Sequence, residues 1–305
     1  MTTVAALSRP ELGKRLRTTG IYLQTGQFIT HVTTPFASVA DAMHLLYADY
    51  PLLDAAPFAD FHVAVAPPAG PRRWLRPQAR FVYDGTHPFL PLPADQAFPM
   101  FEWGLNWCVS SRAHTFLILH AAVVEKHGRA AILPAPPGSG KSTLCAALVS
   151  RGWRLLSDEL TLIRPADGQL VPLPRPISLK NGSIDVMRAY QPGIVMSTPV
   201  ADTTKGTVAH VKAPSASVAR CAELARAAWI IFPRYQAGAP TVLAPLSRGR
   251  AFMRVAENGF NYSVMGPTGF DALGKVISQA ESFDFSYSVL DEAIALFDGL
   301  AAAAP

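Results

Sequence analysis

Between Gly20 and Thr34 the chain reads GIYLQTGQFITHVTT, with β-branched and aromatic residues on either side of Thr25-Gly26. That pattern predicts two short strands joined by a turn. In the next stretch, ASVADAMHLLYADYP, Val39, Met43, Leu46 and Tyr50 recur every three or four residues until Pro51 closes the series, which predicts a helix. DFHVAVAP and RFVYDG predict further strands, and the prolines and glycine of PPAGPRRWLRP between them mark a loop. From Pro93 to Ala113 the aromatic residues Phe98, Phe101, Trp103 and Trp107 crowd together. They are read as core positions of a helix that packs the first region on the second half of the chain.

The second half alternates in type. LILHAAVVEKHGRAAILPA predicts a β-hairpin turning at EKHG. STLCAALVSRG predicts a helix with Leu144, Ala147 and Leu148 on one face and Gly152 as its stop, and WRLLSDELTLI a buried strand. Near the end, FDALGKVISQAESF and SVLDEAIALFDGL predict two helices, the first burying Leu273, Val276, Ile277 and Ala280. The second buries Leu290, Ile294 and Phe297 and is expected to end at Gly299. The organisation expected is an N-terminal α+β region over residues 1–110 and an α/β domain over 111–300.

Composition narrows the classes. Half of the 305 residues are apolar, enough for a substantial core. The net charge of +5 comes without a run of Lys or Arg, so no nucleic-acid partner is expected. Three widely spaced cysteines, Cys108, Cys145 and Cys221, suit neither a disulfide framework nor a zinc site, and a reducing cytoplasm is the expected location. The first twenty residues lack the apolar centre of a secretory signal. The run Phe116–Leu119, ended by His120, is far too short for a membrane span, so no membrane association is expected.

The candidate chemistry lies in LPAPPGSGKSTL, residues 133–144. Gly-x-x-x-x-Gly-Lys-[Ser/Thr] holds phosphates because its glycines let consecutive backbone N–H groups turn inward, with the lysine reaching the outer phosphates and the hydroxyl meeting Mg²⁺. Gly138, Gly140, Lys141, Ser142 and Thr143 stand in place, with Pro137 just before them and Ser139 among them, and only the first glycine is changed, to Ala135. Alanine suits that position if its φ stays negative. The predicted strand before the loop and helix after it give the order a phosphate loop needs. ATP and Mg²⁺ are therefore the expected ligands. If WRLLSDELTLI runs beside the loop's strand, the far end that carries Asp158 and Glu159 lies next to the phosphates, and Asp158 faces the metal and the γ-phosphate. Counting back from EKHG, His120 sits across from residues 133–135.

His120, APPGSGKS and LLSDEL, in this order and at these separations, resemble the catalytic domain of HPr kinase/phosphorylase, and most closely the HprK-related kinases. The resemblance implies a mixed-sheet P-loop kinase domain of the phosphoenolpyruvate carboxykinase type, extending over roughly residues 115–300 and including SIDVM and AAWIIFP. It also implies roles: Lys141 and the loop amides hold the nucleotide phosphates, Ser142, Asp158 and Glu159 hold Mg²⁺, Asp158 accepts the proton of a hydroxyl acceptor, and His120 supports Asp158. Two departures stand out. PRPISLKNG lacks the acid that, in the family, precedes the segment resembling SIDVM. AHVKAPS replaces an arginine-bearing loop, leaving Lys212 as the stand-in cation.

Residues 1–110 do not resemble the N-terminal domain of the regulatory enzymes, so neither HPr as substrate nor phosphorylase activity is inferred. The expected activity is transfer of the γ-phosphate of ATP to a serine-type hydroxyl of a protein or peptide. A nucleotide-binding switch without transfer, or a small-molecule kinase, are the alternatives. The sequence leaves the oligomeric state open; the resemblance, to a family whose members form rings, implies a homo-oligomer as one assembly. Arg248, Arg250 and Arg254 are read as a solvated helix face, with anion binding as the alternative.

Overall fold

The computed structural model describes residues 2–56, 58–70 and 75–303. Part of the loop predicted across PPAGPRRWLRP, residues 71–74, lies outside the described residues. The two strands predicted around Thr25-Gly26 are Ile21–Thr25 and Phe28–Thr33, antiparallel and alternately buried. They sit inside a seven-stranded sheet that also takes in Phe61–Ala66 and Gln78–Tyr83. The predicted helix is Ala37–Leu46, with Val39, Met43 and Leu46 turned into the core. Tyr50 lies beyond it, buried, and its hydroxyl donates to the Pro174 carbonyl at 2.7 Å.

The aromatic segment forms the helix Ala97–Arg112, ten of whose residues are buried. Its Phe101 and Leu105 share one apolar cluster with Leu133, Leu144 and Trp153 from the second half. One core thus runs past residue 110.

The second sheet has eight strands. Arg129–Pro134, Arg226–Tyr235 and Glu281–Tyr287 are parallel neighbours, and Val242–Pro245 and Leu117–Lys126 flank them antiparallel. The architecture is therefore mixed α/β. Leu117–Lys126 and Arg129–Pro134 form the predicted hairpin. Its two-residue turn, His127 at φ +55 and Gly128 at φ +78, has the left-handed pair that matches strand twist. A smaller three-stranded sheet holds Ile177–Lys180, Gly206–Val211 and Val200–Thr203, and leads into the helix Gly182–Tyr190.

Three sequence expectations are corrected. WRLLSDELTLI does not run beside the loop's strand. It breaks into Arg154–Ser157 and Leu160–Ile163, both antiparallel to Leu117–Lys126, with Asp158 and Glu159 at the irregularity between them. The break is held by Ser157 Oγ accepting from Leu160 N at 3.0 Å and by Thr161 Oγ1 donating to the Ala121 carbonyl at 3.0 Å. The residues after Gln279 form the strand Glu281–Tyr287 rather than continuing the helix Pro267–Gln279. The last helix, Leu290–Ala302, runs through Gly299 because Ala301 beyond it is buried. That packing outweighs a glycine penalty of about 1 kcal/mol. Among the described residues no helix is long and apolar enough to cross a membrane.

Candidate active site

Three parallel strands end at the loop, so a ligand there meets their carboxyl ends, the usual position in such sheets. Ser139 is fixed by its carbonyl, which accepts from Tyr235 N at 2.8 Å, and Gly140 by its carbonyl, which accepts from the Tyr287 hydroxyl at 3.1 Å. Gly140 is at φ +86, and a Cβ there would lie 2.7 Å from the Tyr287 hydroxyl oxygen and 2.8 Å from Tyr235 Cβ. Only glycine fits without displacing both tyrosines. Gly138 is also left-handed, at φ +85, while Ala135 is buried and absent from the positive-φ residues, so the replaced first glycine demands nothing of its methyl. The helix Lys141–Ser150 starts at Gly140 and presents its N-terminus to the loop.

Lys141 Nζ donates to the Asp158 carbonyl at 2.8 Å, and Ser142 Oγ to Asp158 Oδ2 at 3.2 Å. Oδ2 also accepts from Ser178 N at 3.1 Å. Asp158 is 4% exposed and its Oδ1 has no hydrogen-bond partner. Burial holds its carboxyl above the ordinary carboxylate value, against the pull of Lys141. Ser142 Oγ and Asp158 Oδ2 are close to the separation of about 2.9 Å expected of adjacent oxygens in an octahedron with 2.0–2.1 Å bonds. The pair therefore suits Mg²⁺. Among the described residues no three His, Cys, Asp or Glu side chains converge as a metal cage, so such an ion would complete its shell with phosphate and water oxygens.

Glu159 points elsewhere. It lines a cavity of about 440 Å³ walled by Pro136–Thr143, Lys180, Tyr235 and Tyr287, and also a second one of about 780 Å³ walled by Trp103, Trp107, Asn181, Lys205 and Phe260. The two cavities share Pro137, Gly138, His120, Glu159 and Lys180. Asp158 lines neither. Burial would raise the Glu159 carboxyl, but Lys141, Lys205 and Lys180 outweigh it and hold it below the usual carboxylate value. Its carboxylate also accepts from Asn106 Nδ2. His120 packs its ring against Phe260, centroids 5.6 Å apart, and its backbone N–H donates to the Asn258 carbonyl at 2.7 Å. Burial first, then Lys141, push its imidazole down to about 4, with Glu159 opposing. No hydrogen bond joins it to Asp158 among the described residues.

The loop residues Pro137 to Thr143, together with His120, Asp158 and Glu159, are thus brought into one region. Lys212 is not. Its ammonium pairs with Asp49 at 2.8 Å, away from the loop. Besides Lys141 of the loop, the lysines that line the cavities are Lys180 and Lys205, which no sequence motif marks. Lys180 ends the strand drawn from PRPISLKNG, the stretch notable in sequence only for lacking an acid. The same stretch supplies Arg175, whose guanidinium pairs with Glu102 and donates to Asn106 Oδ1 at 2.6 Å. Arg254 pairs with Asp284 and covers the Phe232 ring, while Arg248 and Arg250 stay exposed, as a solvated face would.

Behind Asp158 lies a void of about 20 Å³. Four buried polar atoms without partners belong to residues that line it: Trp103 Nε1, Asp158 Oδ1, Ser178 Oγ and His210 Nε2. Its size and polarity suit one water.

Known proteins can be set beside this geometry. A family model described as SynChlorMet cassette protein ScmC matches residues 100–190, a span that includes His120, the loop, Asp158 and Glu159. No curated protein matches the chain. Among solved structures, the Hpr(Ser) kinase/phosphatase from Coxiella burnetii is similar at a TM-score of 0.29 and 12% identity, covering 61% of this chain and 99% of that one. That likeness is too loose to transfer residue roles.

Proposed function

We propose that the protein is a kinase that moves the γ-phosphate of ATP to a serine-type hydroxyl on a protein or peptide. One arrangement carries the reading: a cavity formed by a Gly-Lys-Ser loop meets a second, larger cavity at an edge made of His120, Glu159 and Lys180. A phosphate donor in the first and a hydroxyl in the second would face each other across a carboxylate and a lysine.

In this reading the loop amides and Lys141 hold the phosphates and orient the γ-phosphorus. The hydroxyl oxygen attacks it, the bond to the β,γ-bridging oxygen breaks, and ADP leaves with that electron pair. The hydroxyl proton passes to Glu159, which opens to both cavities and is kept ionised by its lysine neighbours. Neutral His120 shapes the edge beside it without adding charge. Ser142 and Asp158 would hold Mg²⁺, which when bound neutralises charge on the phosphates. Glu159 is assigned the proton rather than Asp158 because only Glu159 reaches the shared edge.

The test is consumption of γ-labelled ATP in the presence of cell extract as acceptor source, with Lys141→Ala as control. Transfer of label by the wild type and none by the variant is expected. Tight nucleotide binding without turnover would favour a nucleotide-sensing switch instead.

A further inference from the structure

The larger cavity has a chemistry of its own. Trp103 and Trp107 form an aromatic wall, with Phe260 at the rim and 48% exposed. Lys205 projects from the exposed turn between Val200–Thr203 and Gly206–Val211, its ammonium 4.8 Å from the Trp103 ring centroid. Lys180 stands at the inner edge, and Glu159 is the one carboxylate among the lining residues. Two ammonium groups against one carboxylate leave the cavity electropositive, with one of the cations, Lys205, set against the aromatic wall at Trp103.

Backbone geometry supports a built site. Asn181 adopts φ +51, ψ −132, a strained conformation for a residue other than glycine. It is held there by two bonds to Thr207: its N–H donates to the Thr207 carbonyl at 2.8 Å and its Oδ1 accepts from Thr207 N at 3.0 Å. Those bonds tie the Lys180 strand end to the strand after the Lys205 turn, fixing the two cations relative to each other.

Resting on the kinase reading above, we propose that the acceptor is a hydroxyl compound bearing an aromatic ring and a carboxylate, the ring on Trp103, Trp107 and Phe260 and the carboxylate on Lys205. A volume of about 780 Å³ is within the range of small-ligand sites. The same chemistry has two sources, a free aromatic hydroxy acid or a peptide in which serine lies between aromatic and acidic residues.

The experiment uses the full chain and measures binding by calorimetry. The probes are 3-phenyllactate, its cationic counterpart phenylalaninol, lactate, and an end-capped hexapeptide with Trp-Ser-Asp at its centre. Binding of a fluorescent ATP analogue is measured in the same preparations. Phenyllactate or the peptide should bind about ten-fold more tightly than phenylalaninol or lactate, and the tighter of the two names the source. Lys205→Glu should remove about ten-fold of that affinity and erase the preference for the acid. Phe260→Ser should weaken the aromatic probes and leave the ATP analogue unaffected. Both side chains are exposed, so the variants are expected to fold. Equal or tighter binding of phenylalaninol, no binding of any probe at millimolar concentration, or an indifferent Lys205→Glu would overturn the inference. If the ATP analogue fails to bind while phenyllactate does, the kinase reading falls and the aromatic-acid site stands without it.

Discussion

Replacing Glu159 by glutamine and, separately, Asp158 by asparagine separates the two jobs that adjacent acids can do. Glu159 opens to both cavities, whereas Asp158 is 4% exposed and bound to Ser142 Oγ and Ser178 N. A positioned base contributes about 10²- to 10⁴-fold. The lysines around Glu159 hold its carboxyl low, which weakens it as a base and puts the expected loss for Glu159→Gln at the lower end. That is about 100-fold in kcat, or about 2.7 kcal/mol. Because the substitution removes a negative charge beside the phosphates, nucleotide affinity should hold or rise, and half-saturating magnesium should not move.

Asp158→Asn can keep both hydrogen bonds through its amide oxygen but loses the charge facing the ion. Half-saturating magnesium should rise about 10- to 100-fold, with kcat largely recovered at saturation. The assay is labelled-phosphate transfer against a magnesium titration, with nucleotide affinity measured separately. A lowered Glu159 value also predicts a rate that stays flat as pH falls to about 5, since the base remains ionised below its ordinary value near 4.3–4.5. If Asp158→Asn abolishes turnover at saturating magnesium with an unmoved midpoint, while Glu159→Gln turns over normally, then Asp158 is the base and the assignment by cavity lining fails.

Three further outcomes are expected. Gly140→Ala places a methyl against Tyr287 and Tyr235 at positive φ; it should lower stability by about 1–3 kcal/mol and abolish nucleotide binding, whereas Ala135→Gly should leave binding intact, both read by thermal shift with and without nucleotide. Arg175→Met leaves the Glu102 charge buried without its cation, with the Tyr47 hydroxyl still donating to it at 2.6 Å, and should cost about 3–5 kcal/mol in urea unfolding, much of it restored by adding Glu102→Gln; equal stability of the single and double variants would contradict this. His210 is buried and its pKa lies below the ordinary value, chiefly through burial, so the unfolded chain binds more protons and stability falls as pH drops below about 6.5. His210→Gln should therefore flatten the change in urea midpoint between pH 7.5 and 5, and an unchanged slope would place the titration elsewhere.

What the sequence disclosed was whatever a short stretch determines by itself. The Gly-Lys-Ser loop is local: glycines at fixed offsets, a lysine, a hydroxyl and a helix after them, all legible before any neighbour is known. The hairpin was legible for the same reason, since EKHG sets its register and carries His120 to the start of the loop. The division between Asp158 and Glu159 was not, because it depends on a break in pairing with Leu117–Lys126 that sends adjacent side chains to different sides. Lys180 and Lys205 escaped notice because they meet only through the three-stranded sheet, and Lys212 drew attention by its place in a motif-like stretch while its partner Asp49 lay far off in sequence. The first three residues of the strand Glu281–Tyr287 were absorbed into the predicted helix because they follow its apolar series directly, with no glycine or proline between them.

The helix Ala97–Arg112 explains why the N-terminal region and the site are inseparable. Glu102 holds Arg175, Asn106 binds both Arg175 and the Glu159 carboxylate, and Trp103 and Trp107 line the larger cavity. These positions fall at i, i+1, i+4 and i+5, one continuous helical face. The stretch that fixes the strand leading to Ser178 and Lys180 is therefore also the wall on which an acceptor would lie. The loop side is built differently, from parallel strand ends and two tyrosines, and owes little to that helix. In the proposed reading, nucleotide contacts and acceptor contacts would thus come from separate parts of one core, joined through Glu159. Changes along the helix face can alter what the second cavity accepts while the phosphate loop keeps its geometry.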